Sequence, residues 1–141
     1  MLIKKTLPLL LLLFTITACT DDAGGPSDEG TKAAPVNIGT APVTYPGSVA
    51  AASPGGDGYS YYVVTLPLAG TGYTITMTGL SADADIAIYS DPAFTQQVGG
   101  SQEYGTADEL TGYTSLGAGQ MLYIEVQNYD ANGTEFTLAV Q

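Results

Sequence analysis

"YTITMTGLSADADIAIYS", residues 73–90, contains two runs in which apolar and polar side chains alternate. In residues 73–79 an aromatic or aliphatic side chain occupies every second position and threonine separates them, and residues 84–90 repeat the alternation with alanine and isoleucine. A period of two is typical of a β-strand that buries one face and exposes the other. The stretch therefore predicts two half-buried strands joined by a short turn that contains glycine.

Five further segments with the same texture surround this pair, and turn-forming residues bound each of them. They are residues 42–50, 59–67, 110–116, 120–128 and 134–141. Alternation groups the following side chains on one face of their strands: Tyr62, Val64 and Leu66, opposite Tyr59, Tyr61, Val63 and Thr65; Tyr73, Ile75 and Met77; and Ala84, Ile86 and Ile88. In the last two segments the side chains predicted to point inward are Leu122, Ile124, Val126, Phe136, Leu138 and Val140. Valine, isoleucine, threonine and tyrosine favour strands, and no segment has a convincing helical period. We predict an all-β fold over residues 36–141, a small antiparallel, jelly-roll-like β-sandwich of seven to eight strands.

The first 18 residues have the pattern of a secretory signal peptide. Lys4 and Lys5 precede an apolar run, and the segment ends in "ITAC", with Cys19 as the only cysteine of the chain. This order resembles a bacterial lipoprotein signal, in which the cysteine thiol receives a diacylglycerol and cleavage occurs just before it. We expect Cys19 to be lipidated; the alternative is an ordinary secreted protein with a free cysteine.

Residues 19–35, "CTDDAGGPSDEGTKAAP", are rich in glycine, proline and acidic residues and have no apolar periodicity. Such a composition predicts a flexible acidic tether between the lipid and the folded domain. Thr20, which follows the cysteine, favours the outer membrane of a bacterial envelope. The acidic residues after it are also compatible with a surface-export signal or with a simple solvated linker.

Charge limits the possible partners. The chain has 3 basic and 14 acidic residues, and removal of residues 1–18 leaves Lys32 as the only cation, for a formal charge of 1 − 14 = −13. This surface repels a phosphate backbone, so we predict no nucleic-acid partner. It attracts cations, and a membrane is expected as a partner only through the lipid.

The order of the segments resembles the bacterial pre-peptidase C-terminal domain, a small β-sandwich appended to many secreted peptidases. The matching pieces, within residues 42–141, are "YYVVTLPLAG", "YTITMTGL", "DADIAIY", "AGQMLYIEVQNY" and "TEFTLAV". Ala87 departs from the pattern, because the family usually has an aromatic residue there. The resemblance implies a non-catalytic sandwich, and since some members of the family bind calcium, it also implies a possible Ca²⁺ site.

Asp83 and Asp85 are the first candidate site, because alternate residues of a strand project to the same side. Three interpretations are open: an aspartate that caps a turn by accepting backbone N–H groups, a Ca²⁺ site built from oxygen ligands, and a catalytic pair of acids. The chain has no histidine and no arginine to complete a catalytic site. Turn capping is therefore favoured over calcium, and calcium over catalysis.

The second candidate is "NYDANGTE", residues 128–135, in which Asn128, Asp130 and Asn132 have the spacing of the first half of a calcium-binding EF-hand loop. The bidentate acid of that motif is missing, because its position is occupied by Ala139. A hairpin turn in which Gly133 adopts a positive φ is the favoured alternative.

The 10 tyrosines provide the remaining functional signal. Tyrosine is common on carbohydrate- and protein-binding faces, and it is also common in cross-strand pairs of ordinary sheets. We predict a non-catalytic, lipid-anchored envelope module that binds a protein, peptide or polysaccharide, with calcium as a possible cofactor. The alternatives are a purely structural lipoprotein and a hydrolase that uses carboxylates alone.

Overall fold

The computed structural model describes residues 26–53 and 58–141, and in these residues the chain forms nine β-strands. They are β1 (Val36–Thr40), β2 (Val43–Val49), β3 (Gly58–Leu66), β4 (Gly72–Thr78), β5 (Ala84–Tyr89), β6 (Gln97–Ser101), β7 (Glu109–Thr114), β8 (Gln120–Asn128) and β9 (Thr134–Val140). A five-stranded sheet has the order β1-β3-β8-β5-β6, and a four-stranded sheet has the order β2-β9-β4-β7. The predicted all-β sandwich is confirmed.

The seven strands predicted from alternation are all present, and β1 and β6 are two strands more than the pattern showed. β6 contains two adjacent glycines and β1 buries only Ile38, so neither has a clear apolar face. β1 also corrects the expectation of a wholly antiparallel sandwich, because it pairs with β3 in parallel. Both are edge strands of the five-stranded sheet, held by backbone pairing to a strong neighbour rather than by their own side chains.

The core lies between the two sheets and contains, besides Ile38, Ala41, Val49 and Leu80, the side chains that alternation groups on one face of each strand. Every one of them is buried, including Tyr62, whose ring packs edge-on against Phe136 with centroids 6.1 Å apart. The Tyr62 hydroxyl donates a hydrogen bond to the carbonyl of Ser48, 3.2 Å away, so the phenol is satisfied within the core. Strand alternation thus assigns the odd-numbered residues of β3, β5 and β8 to the outer face of the five-stranded sheet.

Residues 26–35, which composition assigns to the tether, contact the sandwich at several points. The Glu29 N–H donates to Ser60 Oγ at 2.8 Å, and the Glu29 carbonyl accepts the Tyr61 N–H at 2.7 Å. Gly30 has a φ of 67°, and a Cβ there would lie 2.6 Å from the Tyr61 carbonyl oxygen, so glycine is required for this approach. The segment therefore runs beside β3 at the margin of its outer face.

The described residues do not include the predicted signal peptide (1–18), the predicted lipidation site Cys19 or the part of the predicted tether before residue 26. Across the ranges that are described, the structure contains no helix with the length and apolar character needed to span a bilayer.

Candidate binding surface

The outer face of the five-stranded sheet carries a second apolar cluster, separate from the core, which we call the aromatic face. It consists of Tyr59, Tyr61 and Val63 of β3, Tyr89 of β5, Tyr123 of β8 and Phe94 from the β5–β6 loop. Val63 and Tyr123 are paired across β3 and β8, and Tyr89 is paired with Tyr123 across β5 and β8. The register therefore places aromatic side chains from three neighbouring strands next to one another.

Phe94 is the centre of this cluster although it belongs to a loop. Its ring makes edge-on contacts with the rings of Tyr61, Tyr89 and Tyr123, at centroid distances of 5.1, 5.4 and 5.6 Å. Only 5% of the residue is exposed, and its φ of 54° is unusual for a residue other than glycine. The packing of the ring against three tyrosines offsets the strain of that backbone conformation.

Asp91 holds the loop in the conformation that places Phe94. Its carboxylate accepts the backbone N–H groups of Ala93, Thr95 and Gln96, with the Gln96 bond the shortest at 2.6 Å. The Gln96 N–H above all lowers the pKa of Asp91, because these hydrogen bonds favour the charged carboxylate. The charge on Asp91 thus helps to keep the aromatic face assembled.

Glu125 lies within the aromatic face, and its carboxylate is almost wholly buried. It is paired with Tyr61 on one side and with the small Ala87 on the other, and 8% of the residue is exposed. The Tyr89 hydroxyl donates to Oε1 at 3.3 Å, and Lys32 Nζ lies 3.2 Å from Oε2. Burial, followed by the nearby Glu125 charge, raises the pKa of Tyr61 to about 12.

Lys32 reaches the face from the tip of a two-residue turn in the segment before β1. Its ammonium lies 5.7 Å from the ring centroid of Tyr61 and 5.8 Å from that of Phe94, which is within the range of a cation–π interaction. Within residues 26–53 and 58–141, Oε2 of Glu125 has no hydrogen-bond partner, and its ion pair with Lys32 is what balances its charge. The ammonium group is therefore held by one carboxylate and two aromatic rings.

Asp83 and Asp85 lie at one end of the same sheet, where β5 begins, and we call this part of the molecule the acidic end. Asp83 accepts the Gly105 N–H at 3.0 Å and thereby fixes a loop 22 residues away, rather than the turn that enters its own strand. Burial, followed by the charges of Glu109 and Asp83, raises the pKa of Asp85 to about 6. Glu109 is fully buried, and both of its carboxylate oxygens accept the Glu103 N–H, at 3.0 and 3.2 Å.

This acidic end was considered as a calcium or catalytic site from the sequence. Among the described residues, no group of three or more cysteine and acidic side chains has an arrangement suited to a metal ion. Asp83 and Glu109 each accept a backbone N–H group of the segment between β6 and β7. The observed contacts of these two acids are therefore loop-fixing hydrogen bonds.

Asn128, the last residue of β8, is buried, and its side-chain amide forms hydrogen bonds within the protein. Its Nδ2 donates to the carbonyls of Ala50 and Asn132, both at 2.7 Å, and its Oδ1 accepts the Asp130 N–H at 2.9 Å. Asp130 Oδ1 in turn accepts the Asn132 N–H at 3.0 Å. These three side chains of the EF-hand-like spacing are brought together, and in the observed geometry they organise the turn.

The prediction that Gly133 supplies a positive φ to this turn is wrong. The positive-φ glycines of the described residues are Gly30, Gly39, Gly70, Gly79, Gly105 and Gly119. Gly133 is instead required by close packing, because a Cβ there would lie 2.8 Å from the Val49 carbonyl oxygen and 3.0 Å from Pro26 Cβ.

A groove of about 460 Å³ lies next to β2 and β9 of the four-stranded sheet. Backbone and small side chains form most of its wall, with Glu29 and Glu135 at its margin. Ser48 Oγ donates to Glu29 Oε1 at 3.3 Å. The groove has no cluster of aromatic side chains comparable to that of the aromatic face.

No protein-family model matches the chain, and no curated protein sequence matches it. Among solved structures, the pre-peptidase C-terminal domain of a collagenase from Bacillus anthracis superposes with a TM-score of 0.58 at 14% identity, over 84% of this chain and 100% of that domain. The fold is that of a pre-peptidase C-terminal domain. The resemblance seen in the sequence is thus confirmed as a likeness of fold.

A second solved structure is similar over a comparable length. It is PliG of Aeromonas hydrophila, a periplasmic inhibitor of g-type lysozyme, with a TM-score of 0.47 at 17% identity, over 82% of this chain and 100% of that protein.

Lys32, Phe94 and Glu125 were not among the site residues predicted from the sequence. Glu125 gave no signal, because a polar side chain at an outward position between Ile124 and Val126 is ordinary in a half-buried strand. For Lys32 the signal was its isolation as the only cation after residue 18. Phe94 lies in an irregular segment, and no periodicity could have placed it.

Proposed function

We propose that the protein is a non-catalytic binding module, held at the bacterial envelope by a lipid on Cys19, whose aromatic face binds a protein, peptide or polysaccharide. The observation that carries the proposal is the second apolar cluster on a sheet face outside the core. The outward face of an antiparallel sandwich is usually polar. Clustered tyrosines, which combine a flat apolar ring with a hydroxyl, are instead enriched where proteins meet their partners.

Binding is preferred to catalysis because three acids of this sheet and its loops are already used by the fold. Asp83 fixes the β6–β7 loop, Asp91 fixes the β5–β6 loop, and Glu125 is paired with Lys32. A general acid or base needs a group that is free to exchange its proton with a substrate. Asp83, Asp91 and Glu125 are therefore engaged in holding backbone or in neutralising a cation.

Site-directed photocrosslinking tests the binding surface directly. A photoreactive phenylalanine analogue replaces Tyr59 at the margin of the aromatic face in the full chain, expressed in a bacterial host, and the matched control carries it at Thr74, which is exposed on β4 of the other sheet. The proposal expects a discrete adduct from the Tyr59 position and none from Thr74. Digestion of the adduct with protease or glycosidase distinguishes a protein from a polysaccharide. Equal, diffuse labelling at both positions contradicts the proposal.

The lipid anchor has a separate test. Cells that express the full chain are grown with labelled palmitate, and Cys19→Ala is the matched control. Labelling of the wild type in the outer-membrane fraction, and loss of both label and membrane association in the variant, are expected. An unlabelled wild-type chain would contradict the lipid anchor and support the alternative, a secreted protein with a free cysteine.

Calcium enters the proposal as an ion that would stabilise the acidic end, where the charges of Asp83, Asp85 and Glu109 repel one another. Thermal melts in EDTA and in millimolar calcium measure the effect, since an ion that binds only the native state raises the melting temperature. Asp85→Asn should abolish the rise if this end is responsible. If the rise persists in that variant, the loop of Asn128, Asp130 and Asn132 becomes the candidate. No rise in the wild type removes calcium from the proposal.

A further inference from the structure

The contacts of Lys32 describe a cage for an ammonium group. The rings of Tyr61 and Phe94 form two walls that meet at an interplanar angle of 80°, with centroids 5.1 Å apart. Lys32 Nζ lies less than 6 Å from both ring centroids and 3.2 Å from Glu125 Oε2. Two aromatic faces and one carboxylate form the kind of site that recognises lysine and its methylated forms.

The cage requires a cation. A carboxylate that is buried among aromatic rings loses most of its hydration, and this loss is costly unless an opposite charge replaces the water. The Tyr89 hydroxyl donates to Oε1, whereas Oε2 has no hydrogen-bond partner within the described residues and lies 3.2 Å from the Lys32 ammonium group.

Lys32 is placed so that its side chain can leave the cage without unfolding its own segment. The turn that carries it is closed by two backbone hydrogen bonds between Thr31 and Ala34, at 3.0 and 3.1 Å. The attachment of the segment to β3 lies at Glu29, outside this turn. The Lys32 side chain is 51% exposed, so rotation about its own bonds takes the ammonium group into water.

We propose that this cage is a binding site for alkylammonium groups, that Lys32 is its internal ligand, and that an exposed lysine of a partner protein replaces Lys32 when the partner docks. The inference rests on the proposed function and specifies its ligand chemistry. A lysine fits because four uncharged methylenes separate its ammonium from its backbone. The ethanolamine headgroup of a lipid fits poorly, because its phosphate would approach a strongly acidic surface.

The test titrates a small probe into purified full-length protein and follows the tyrosine side-chain resonances by NMR. The probe is N-acetyl-lysine methylamide, and its Nε-acetylated form, which lacks the charge, is the matched control. In Lys32→Ala the cage is vacant, and we expect the charged probe to bind at least about tenfold more tightly than it binds the wild type, because an internal ligand competes at high effective concentration. The Nε-acetylated probe should not bind either protein.

Two further variants identify the site and protect against a folding defect. Lys32→Met removes the charge and keeps part of the aliphatic stem. If Lys32→Ala is poorly folded, Lys32→Met takes its place in the titration, and the same gain in affinity is expected. Lys32→Ala combined with Glu125→Gln should lose at least about tenfold in affinity, because the compensating carboxylate is gone. Probe binding that is equal in the presence and absence of the Glu125 charge, or absent from both Lys32 variants, overturns the proposal.

A vesicle arm distinguishes the source of the ammonium group. If Lys32→Ala binds vesicles that contain phosphatidylethanolamine more tightly than vesicles of phosphatidylglycerol, and shows no affinity for the lysine probe, the assignment to a protein lysine is wrong. The crosslinking at Tyr59 is independent of this outcome. A discrete adduct with no probe binding refutes the cage alone, and probe binding with no adduct refutes the proposed partner while it leaves the ammonium site in place.

Discussion

Replacement of Asp85 by asparagine should stabilise the protein at neutral and alkaline pH. Asp85 is on β5, and burial, the buried Glu109 and then Asp83 raise its pKa from 3.8 to about 6. The native state therefore binds a proton at Asp85 more readily than the unfolded chain does. Asparagine keeps the shape of the side chain and removes the charge that Glu109 and Asp83 repel.

The sign and size of the effect follow from the proton balance. Because the folded pKa is raised, the native state is penalised above pH 6, the penalty grows between about pH 4 and pH 6, and it is absent below pH 4. A shift of about 2 units corresponds to at most roughly 3 kcal/mol. Since much of the Asp85 side chain is in contact with water, screening reduces the expected gain of Asp85→Asn to about 1–2 kcal/mol at pH 8, with no gain at pH 3.5.

Urea unfolding of both proteins by circular dichroism between pH 3.5 and 8, in EDTA, measures this difference. Asp91→Asn is the matched control, because it makes the same chemical change at an acid whose pKa is lowered by the Gln96 N–H. It should have the opposite sign: a loss of stability at pH 8 that fades as the pH falls through the lowered pKa of Asp91. If Asp85→Asn follows the wild type at every pH, or shifts in the same direction as Asp91→Asn, the repulsion at the acidic end is absent and the reasoning fails.

Three further substitutions test the packing by equilibrium unfolding. Leu138→Ala removes a fully buried core side chain and should lower the free energy of unfolding by about 2–5 kcal/mol; a loss below 1 kcal/mol would contradict its place in the core. Gly47→Ala places a Cβ 2.5 Å from Phe136 Cε2 and should cost about 1–3 kcal/mol, whereas Gly117→Ala meets no atom and should leave the free energy unchanged. Asn128→Asp loses two donated hydrogen bonds and should lower the melting temperature in both EDTA and calcium. A calcium ligand would instead give a variant whose melting temperature rises more steeply with calcium than that of the wild type.

Alternation of side chains was sufficient to predict the strands that form the core. In β8, the predicted bounds 120–128 coincide with the observed strand, because Leu122, Ile124 and Val126 alternate without interruption. β6 was missed because its two adjacent glycines have no side chains that could alternate. It is a strand because its backbone pairs with that of β5. The alternation of apolar and polar residues predicts which side chains are buried. It does not predict a strand that forms because a neighbouring strand offers backbone hydrogen bonds.

The binding surface was less accessible to sequence reasoning for a related reason. The cage joins Lys32, Tyr61, Phe94 and Glu125, which are far apart in the chain and meet only through sheet register and two loops. The acidic residues that the sequence did single out, Asp83 among them, are close together in the chain, where motifs are easy to see. Proximity along the sequence favoured the loop-fixing residues over those that form the cage.

The attachment of residues 27–35 to the sandwich sets how far the domain can extend from the bilayer. With Ser27 fixed by the Ser48 hydroxyl, the proposed lipid on Cys19 is separated from the folded body by eight residues, a leash of at most about 30 Å. If the segment peels away up to Val36, the leash has 17 residues and its maximum length about doubles, to roughly 60 Å. Ser27 and Glu29 hold the segment on the Cys19 side of Lys32, so an incoming lysine that displaced Lys32 would leave the shorter reach in force, and a captured partner would be kept close to the membrane.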